Sequence, residues 1–256
     1  LHDLPAAARP GRVLTRPGPD REMPVSRLPT RAALVAAVTV LVAANLLDNR
    51  WARSWILLTA VVASAALVAL LFCAGGDWAE LGLGRNTLAD GVRWAVALIG
   101  IVAAVYLCGA LLPVTRGLFA DQRTNALSGA EIAFKALVAV PVGTVLLEEI
   151  AFRGVLFALL RRLRTATTAA VLSSVLFGLW HILPSLNLNK DKPTLGSLFG
   201  HSAAGAVLVD IGAVLFTAVA GCLLCWLRDR SGSLLAPMAL HWAVNALGYA
   251  VGFLLR

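Results

Sequence analysis

Seven long apolar runs, at 32–47, 55–74, 92–114, 132–160, 166–183, 204–227 and 234–254, follow one another along the chain with short polar intervals between them. Most reach the roughly 20 residues a helix needs to cross about 30 Å of hydrocarbon. None alternates with a period of two. A backbone at membrane depth must also satisfy its polar groups within its own segment, so the pattern predicts helices and excludes a barrel. The expected fold is all-α, a polytopic transmembrane bundle of about seven spans, six to eight, enclosing an intramembrane polar cavity. The first run is short for a span. The fourth is long enough that it must tilt, bend at Pro141 or leave the membrane as an amphipathic tail. Residues 77–91, which contain Leu81-Gly82-Leu83-Gly84-Arg85, are too polar to span and are expected along the inner interface.

Ahead of the first run, residues 1–30 hold six of the eleven prolines, at Pro5, Pro10, Pro17, Pro19, Pro24 and Pro29, together with repeated Arg. This stretch predicts a disordered basic tail, followed by one membrane-embedded domain over 31–256. The chain opens on Leu1, and Met23 is a candidate start.

Composition agrees with lipid as the solvent, since 59% of the residues are hydrophobic and 14% charged, well away from an ordinary globular domain. A formal charge of +8 would suit nucleic acid, but the Lys and Arg residues stand at the ends of apolar runs, as in anchored helices. No nucleic-acid partner is expected. Basic residues concentrate on the side of the amino terminus, in the tail and at Arg85, Arg93, Arg161, Arg162, Arg164, Arg228 and Arg230, which predicts a multi-pass protein of the cell membrane with a cytoplasmic amino terminus. Cys73, Cys108, Cys222 and Cys225 lie within apolar runs and build no disulfide framework.

Candidate chemistry comes from ionisable groups in mid-span, each of which costs about 2.5 kcal/mol or more at membrane depth. In Leu147-Glu148-Glu149-Ile150-Ala151-Phe152-Arg153, the four-residue spacing puts Glu149 and Arg153 on one helix face, where they can pair. Glu148 is left over, as a general base would be. The alternative is that both glutamates and Arg153 form one ion network that only holds helices together. His181 ends the fifth run, where a lone histidine is equally a packing residue. His241 and Asn245 share a face of the last run, as donors for an oxyanion or as helix glue. Counted from the inner basic residues, Glu149 lies about 18 Å from Arg161 and Asn245 about 22 Å from Arg230, whereas His181 computes deeper, about 25 Å from Arg164.

The set Glu148-Glu149-x-x-x-Arg153, Phe177-x-x-x-His181 and His241-x-x-x-Asn245, in that order on separate helices, resembles the CPBP family of intramembrane proteases, also called ABI or type II CAAX prenyl endopeptidases. The likeness spans about residues 75–254. It implies an endopeptidase in which Glu148 and His181 activate water, Glu149 with Arg153 shapes the site, and His241 and Asn245 hold the oxyanion. The implied partners are the lipid bilayer and membrane-associated protein or peptide substrates, prenylated or unmodified. Family members have been described both as metalloproteases and as metal-independent glutamate proteases. No H-E-x-x-H is present and Arg153 competes for the glutamates, so a cofactor is not favoured; if Zn²⁺ is bound, its ligands are Glu148, His181 and His241.

Two other readings stand beside this one. A non-catalytic bacteriocin-immunity or scaffolding protein of the same fold would use the polar cluster to bind a partner. A small proton-coupled transporter would use it as a proton relay, but the repeat symmetry expected of carriers is missing. Cys222-x-x-Cys225 reads as helix packing, Trp180 as a cavity wall or interface anchor, His201 with residues 187–192 as a solvated loop, and Lys135 as near the outer interface. Asp210 is left without a role.

Overall fold

Small residues decide how apolar helices meet in lipid, which gives them no hydrophobic drive to associate. In the computed structural model, which describes residues 27–119, 122–186 and 202–256, helices α1 (Thr30–Leu46) and α2 (Ile56–Cys73) form a hairpin along such a seam. Ala33, Ala37, Ala44, Ala60 and Ala63 are all buried there. The expectations for the tail up to residue 26, for Met23, and for His201 with residues 187–192 fall outside the described residues.

The first run is longer than its apolar letters suggest. The helix continues past Leu46 in a wide turn, Leu47–Trp51, that takes in Asp48 and Asn49, and Asn49 Nδ2 donates to the Asn45 carbonyl at 2.9 Å. The whole segment Thr30–Trp51 is 22 residues, long enough to span.

After α2 the chain makes a single helical turn, Trp78–Leu81, whose first N–H groups are capped by Asp77 and which closes on Gly82 at φ +94°, a conformation that suits glycine. Leu81 is fully buried against Gly154, where an added Cβ would lie 2.7 Å from Leu81 Cδ1. The Gly82 carbonyl accepts from Leu234 N–H at 2.7 Å, the Glu80 carbonyl accepts from Arg228 Nη2 at 2.9 Å, and the Glu80 carboxylate takes two bonds from Arg162. The polar segment therefore ties together the ends of three later helices.

Helix α3 (Leu88–Leu111) follows at once, a turn earlier than its apolar letters begin, and buries little beyond Gly91 and Val102. Its neighbour is the last helix. The long α4 (Gly129–Arg161) starts with a reciprocal cap between Ser128 and Glu131. It runs through the middle of the bundle, with nearly every side chain from Leu147 to Leu159 buried. Its backbone widens to i→i+5 bonding over Lys135–Leu146 and again over Ile150–Leu156. The first widening holds Pro141, which has no N–H to give the turn before it; the Ala136 carbonyl there instead takes the indole N–H of Trp242 at 2.9 Å. In the second, Ser173 Oγ donates to the Phe152 carbonyl at 2.6 Å.

Helices α5 (Ala166–Trp180) and α6 (Ala203–Ser231) lie against each other through Gly178 and Gly221. Cys225, a free and buried thiol, sits in this interface beside Ser174, as small-residue packing of the Cys-x-x-Cys stretch predicts. Gly232, at φ +66°, ends α6 and turns the chain into α7 (Leu235–Leu254). Whereas α6 runs along α5, α7 runs along α3 and α4.

Six of the seven expected spans are helices long and apolar enough to cross a membrane. The seventh, α7, has 20 residues but carries His241 and Asn245 in its middle. Among the described residues the fold is all-helical, the polytopic bundle that the runs predict.

A Cβ at Gly178 would lie 2.7 Å from the Val214 carbonyl oxygen and 2.9 Å from Ala218 Cβ, both on α6. Gly178→Ala gains helix propensity of about 1 kcal/mol, yet it is expected to lower stability in detergent by about 1–3 kcal/mol net, because α5 and α6 must part. Gly100→Ala, which adds its methyl where nothing lies within 4 Å, is the control and should not lower the melting temperature.

Candidate active site

Four helical turns of α4 bring Glu148 and Glu149 well inside the bundle, and the fold closes α5 and α7 over them. Glu149 and Arg153 are both fully buried, and Arg153 Nη1 donates to Glu149 Oε1 at 3.0 Å, the pair that the four-residue spacing predicts. The remaining face of the guanidinium lies over the Phe177 ring, 3.9 Å from its centroid. Arg153 Nε and Nη2 are buried without a hydrogen-bond partner among the described residues, so the ring compensates where no acceptor does.

Glu149 Oε1 has a second partner in His241, whose Nδ1 lies 2.7 Å away. A carboxylate accepts, so Nδ1 carries a proton, and the opposite nitrogen of the ring, Nε2, faces Glu148 Oε2 at 3.7 Å. His181 repeats this arrangement from another direction. Its Nδ1 lies 2.8 Å from the Phe177 carbonyl, to which it donates, and its Nε2 is 4.0 Å from the same Glu148 oxygen. The Phe177-x-x-x-His181 spacing thus has a local reason. His181 closes the last turn of α5, and its ring satisfies a carbonyl that the helix end leaves open. The Phe177 ring meanwhile stands edge-on to both imidazoles, with centroids 4.6 Å from His181 and 6.2 Å from His241.

The expected depth difference between His181 and the glutamates disappears. His181 Nε2 lies 4.0 Å from Glu148 Oε2, so the two side chains meet at one level. Five of the six expected residues, Glu148, Glu149, Arg153, His181 and His241, therefore form one connected cluster. The sixth, Asn245, is one turn beyond His241 on the same face of α7, half-buried, and makes no side-chain hydrogen bond among the described residues. Asp210 lies two turns into α6 and bonds to none of these six. Lys135 lies near the Gly129 end of α4, 5.8 Å from the Tyr249 ring centroid.

Trp180, read from the sequence as a cavity wall or interface anchor, and two neighbours absent from that reading, Tyr106 and Asn45, complete the site. Glu148 Oε1 accepts from the Trp180 indole N–H at 3.1 Å. Tyr106 on α3 donates to the Val244 carbonyl at 2.9 Å, beside Asn245. Asn45 on α1 donates to the Trp180 carbonyl at 2.7 Å. The one signal that pointed to Asn45 was an amide inside an apolar run.

A tetrahedral zinc with ligands at about 2.0–2.2 Å sets neighbouring ligand atoms about 3.3–3.5 Å apart. The separations of 3.7 and 4.0 Å from Glu148 Oε2 to the two imidazoles are wider, and among the described residues no three His, Cys, Asp or Glu side chains converge on a common ion position.

Residues 130–247 match the family model described as type II CAAX prenyl endopeptidase Rce1-like. The matched segment begins in α4 and ends in α7, and it contains all six residues of the set. No curated protein and no solved structure matches the chain.

Proposed function

We propose that the chain, whose residues 130–247 match the type II CAAX prenyl endopeptidase Rce1-like family model, hydrolyses peptide bonds inside the bilayer with the Glu148 cluster as its active site. The observation that carries the proposal is that Glu148 Oε2 is buried, lacks a hydrogen-bond donor among the described residues, and faces two imidazole nitrogens.

A water hydrogen-bonded at about 2.8 Å to both Glu148 Oε2 and His181 Nε2 bridges their 4.0 Å separation with ease. His181, with its Nδ1 proton committed to Phe177, offers a lone pair at Nε2, so it orients the water by accepting from it. Glu148 takes the other proton as the water oxygen adds to the scissile carbonyl carbon. The resulting oxyanion is held by Asn245 Nδ2–H and His241 Nε2–H.

Glu149 bears on that last role. With its Nδ1 proton held by Glu149, His241 donates a second proton from Nε2 as the imidazolium. Two glutamates, Arg153 and a cationic His241 then sum to zero, a bearable state for a group of charges at membrane depth. Collapse of the intermediate breaks the C–N bond, and Glu148 returns the proton to the leaving amine. No Ser or Cys nucleophile and no metal takes part. The substrates are membrane-associated proteins or peptides, prenylated or unmodified, cut near their membrane ends, and the amino terminus is cytoplasmic.

The test offers the purified protein in detergent an internally quenched peptide library, half of it prenylated, with and without a strong chelator. Wild type is expected to cleave a subset of the library at a rate that the chelator leaves unchanged. A folded protein that cleaves nothing would overturn the hydrolase in favour of a partner-binding member of the fold, and loss of cleavage with chelator would overturn the metal-free route.

A further inference from the structure

Glu148 differs at its two oxygens. Oε1 accepts from the Trp180 indole N–H at 3.1 Å, and Oε2 is the bare one that faces His181 and His241. A carboxylate with a donor on one oxygen cannot rotate part-way about its terminal bond without straining that hydrogen bond, so the donor fixes the plane of the group and keeps one oxygen on the imidazoles.

Trp180 is itself held. It is the last residue of α5, where backbone carbonyls have no partner within the helix, and its carbonyl accepts from Asn45 Nδ2 at 2.7 Å. Asn45 is buried on α1, at 7% exposure, and its own Oδ1 accepts from Asn49 Nδ2 at 3.2 Å. The Trp180 ring also stands edge-on to Phe152, with centroids 5.9 Å apart. A line of contacts thus runs from the outer end of α1, outside the matched segment, to the oxygen of Glu148 that is turned away from the imidazoles.

We propose that Trp180 is a positioning residue that fixes the plane of the Glu148 carboxylate so that its unbonded oxygen faces the imidazoles, and that Asn45 holds Trp180 for this task. The proposal rests on the hydrolytic reading of the same site, so its test has one arm that needs no activity. Trp180→Phe keeps an aromatic ring beside Phe152 and deletes the donor. It is expected to lower kcat about thirtyfold with KM changed less than about twofold, because the loss is of preorganisation and not of substrate contact. Asn45→Ala is expected to lower kcat about threefold to tenfold in the same way, acting one hydrogen bond further back.

The second arm is a melting cycle in detergent over wild type, Trp180→Phe, Glu148→Ala and the double variant. The two substitutions should be non-additive, the double variant melting close to Glu148→Ala alone, because one bond is lost in both. Additive shifts, or wild-type kcat in a folded Trp180→Phe, would overturn the positioning role. If no form of the protein cleaves any peptide, the hydrolase reading falls, and the cycle still decides whether the Trp180–Glu148 bond exists.

Discussion

Glu148→Ala is expected to lower kcat by about 10³-fold while the protein keeps its fold in detergent. The size follows from the role. Without a base at Oε2 the attacking water keeps both protons, and the leaving amine finds no acid. Glu148→Gln should lose as much, although its amide oxygen still accepts from Trp180, which separates proton transfer from space-filling. Activity within about tenfold of wild type in either variant would remove Glu148 from the reaction, and the surviving base would have to be sought at Glu149.

Arg153 is expected to show the opposite pattern, with stability falling before chemistry can be measured. It is fully buried, pairs with a fully buried Glu149 at 3.0 Å and lies on the Phe177 ring. Arg153→Leu removes the closest fixed cation from a fully buried Glu149 and leaves His241 as its one remaining partner, a loss of about 3–5 kcal/mol. Adding Glu149→Gln removes that charge and keeps an acceptor for His241, so the double variant should recover at least half of the loss. A chemical or thermal unfolding series in detergent reads both, and a single-variant loss under about 1 kcal/mol would mean that Arg153 is not the counter-ion on which the cluster depends.

How much of this was legible beforehand depended on whether a contact lies within one helix or between helices. The Glu149–Arg153 pair is local, four residues apart, so spacing alone predicted it. The shared face of His241 and Asn245 was legible for the same reason. The convergence of α4, α5 and α7 was readable only as a coincidence of polar groups in otherwise apolar runs, together with a family likeness. What the letters did not carry were the contacts that orient the cluster, Trp180 to Glu148, Asn45 to Trp180 and Trp242 to Ala136, whose partners are 32, 135 and 106 residues apart. Each is an amide or an indole meeting an acceptor on another helix, and in an apolar run such a residue reads equally well as an interface anchor or as glue. The boundaries shifted for a simpler cause. Polar residues at the ends of α1 and α6 stay helical because a wide turn and caps satisfy their backbone, so these helices outrun their hydrophobic letters.

The pairing of Glu149 with Arg153 inside one helix also bears on how the protein is made. When α4 enters the bilayer its middle, residues 147–153, carries two acids and one base, and the i,i+4 pair can form as soon as that turn winds, before any neighbour has arrived. Its charges are neutralised at birth. Glu148 has no partner within its own helix and stays expensive in lipid until α5 delivers Trp180 and His181 and α7 delivers His241, both of which are synthesised later. The group assigned to the chemistry is therefore the last to be accommodated, and the energy released on settling it is available to draw the closing helices onto α4.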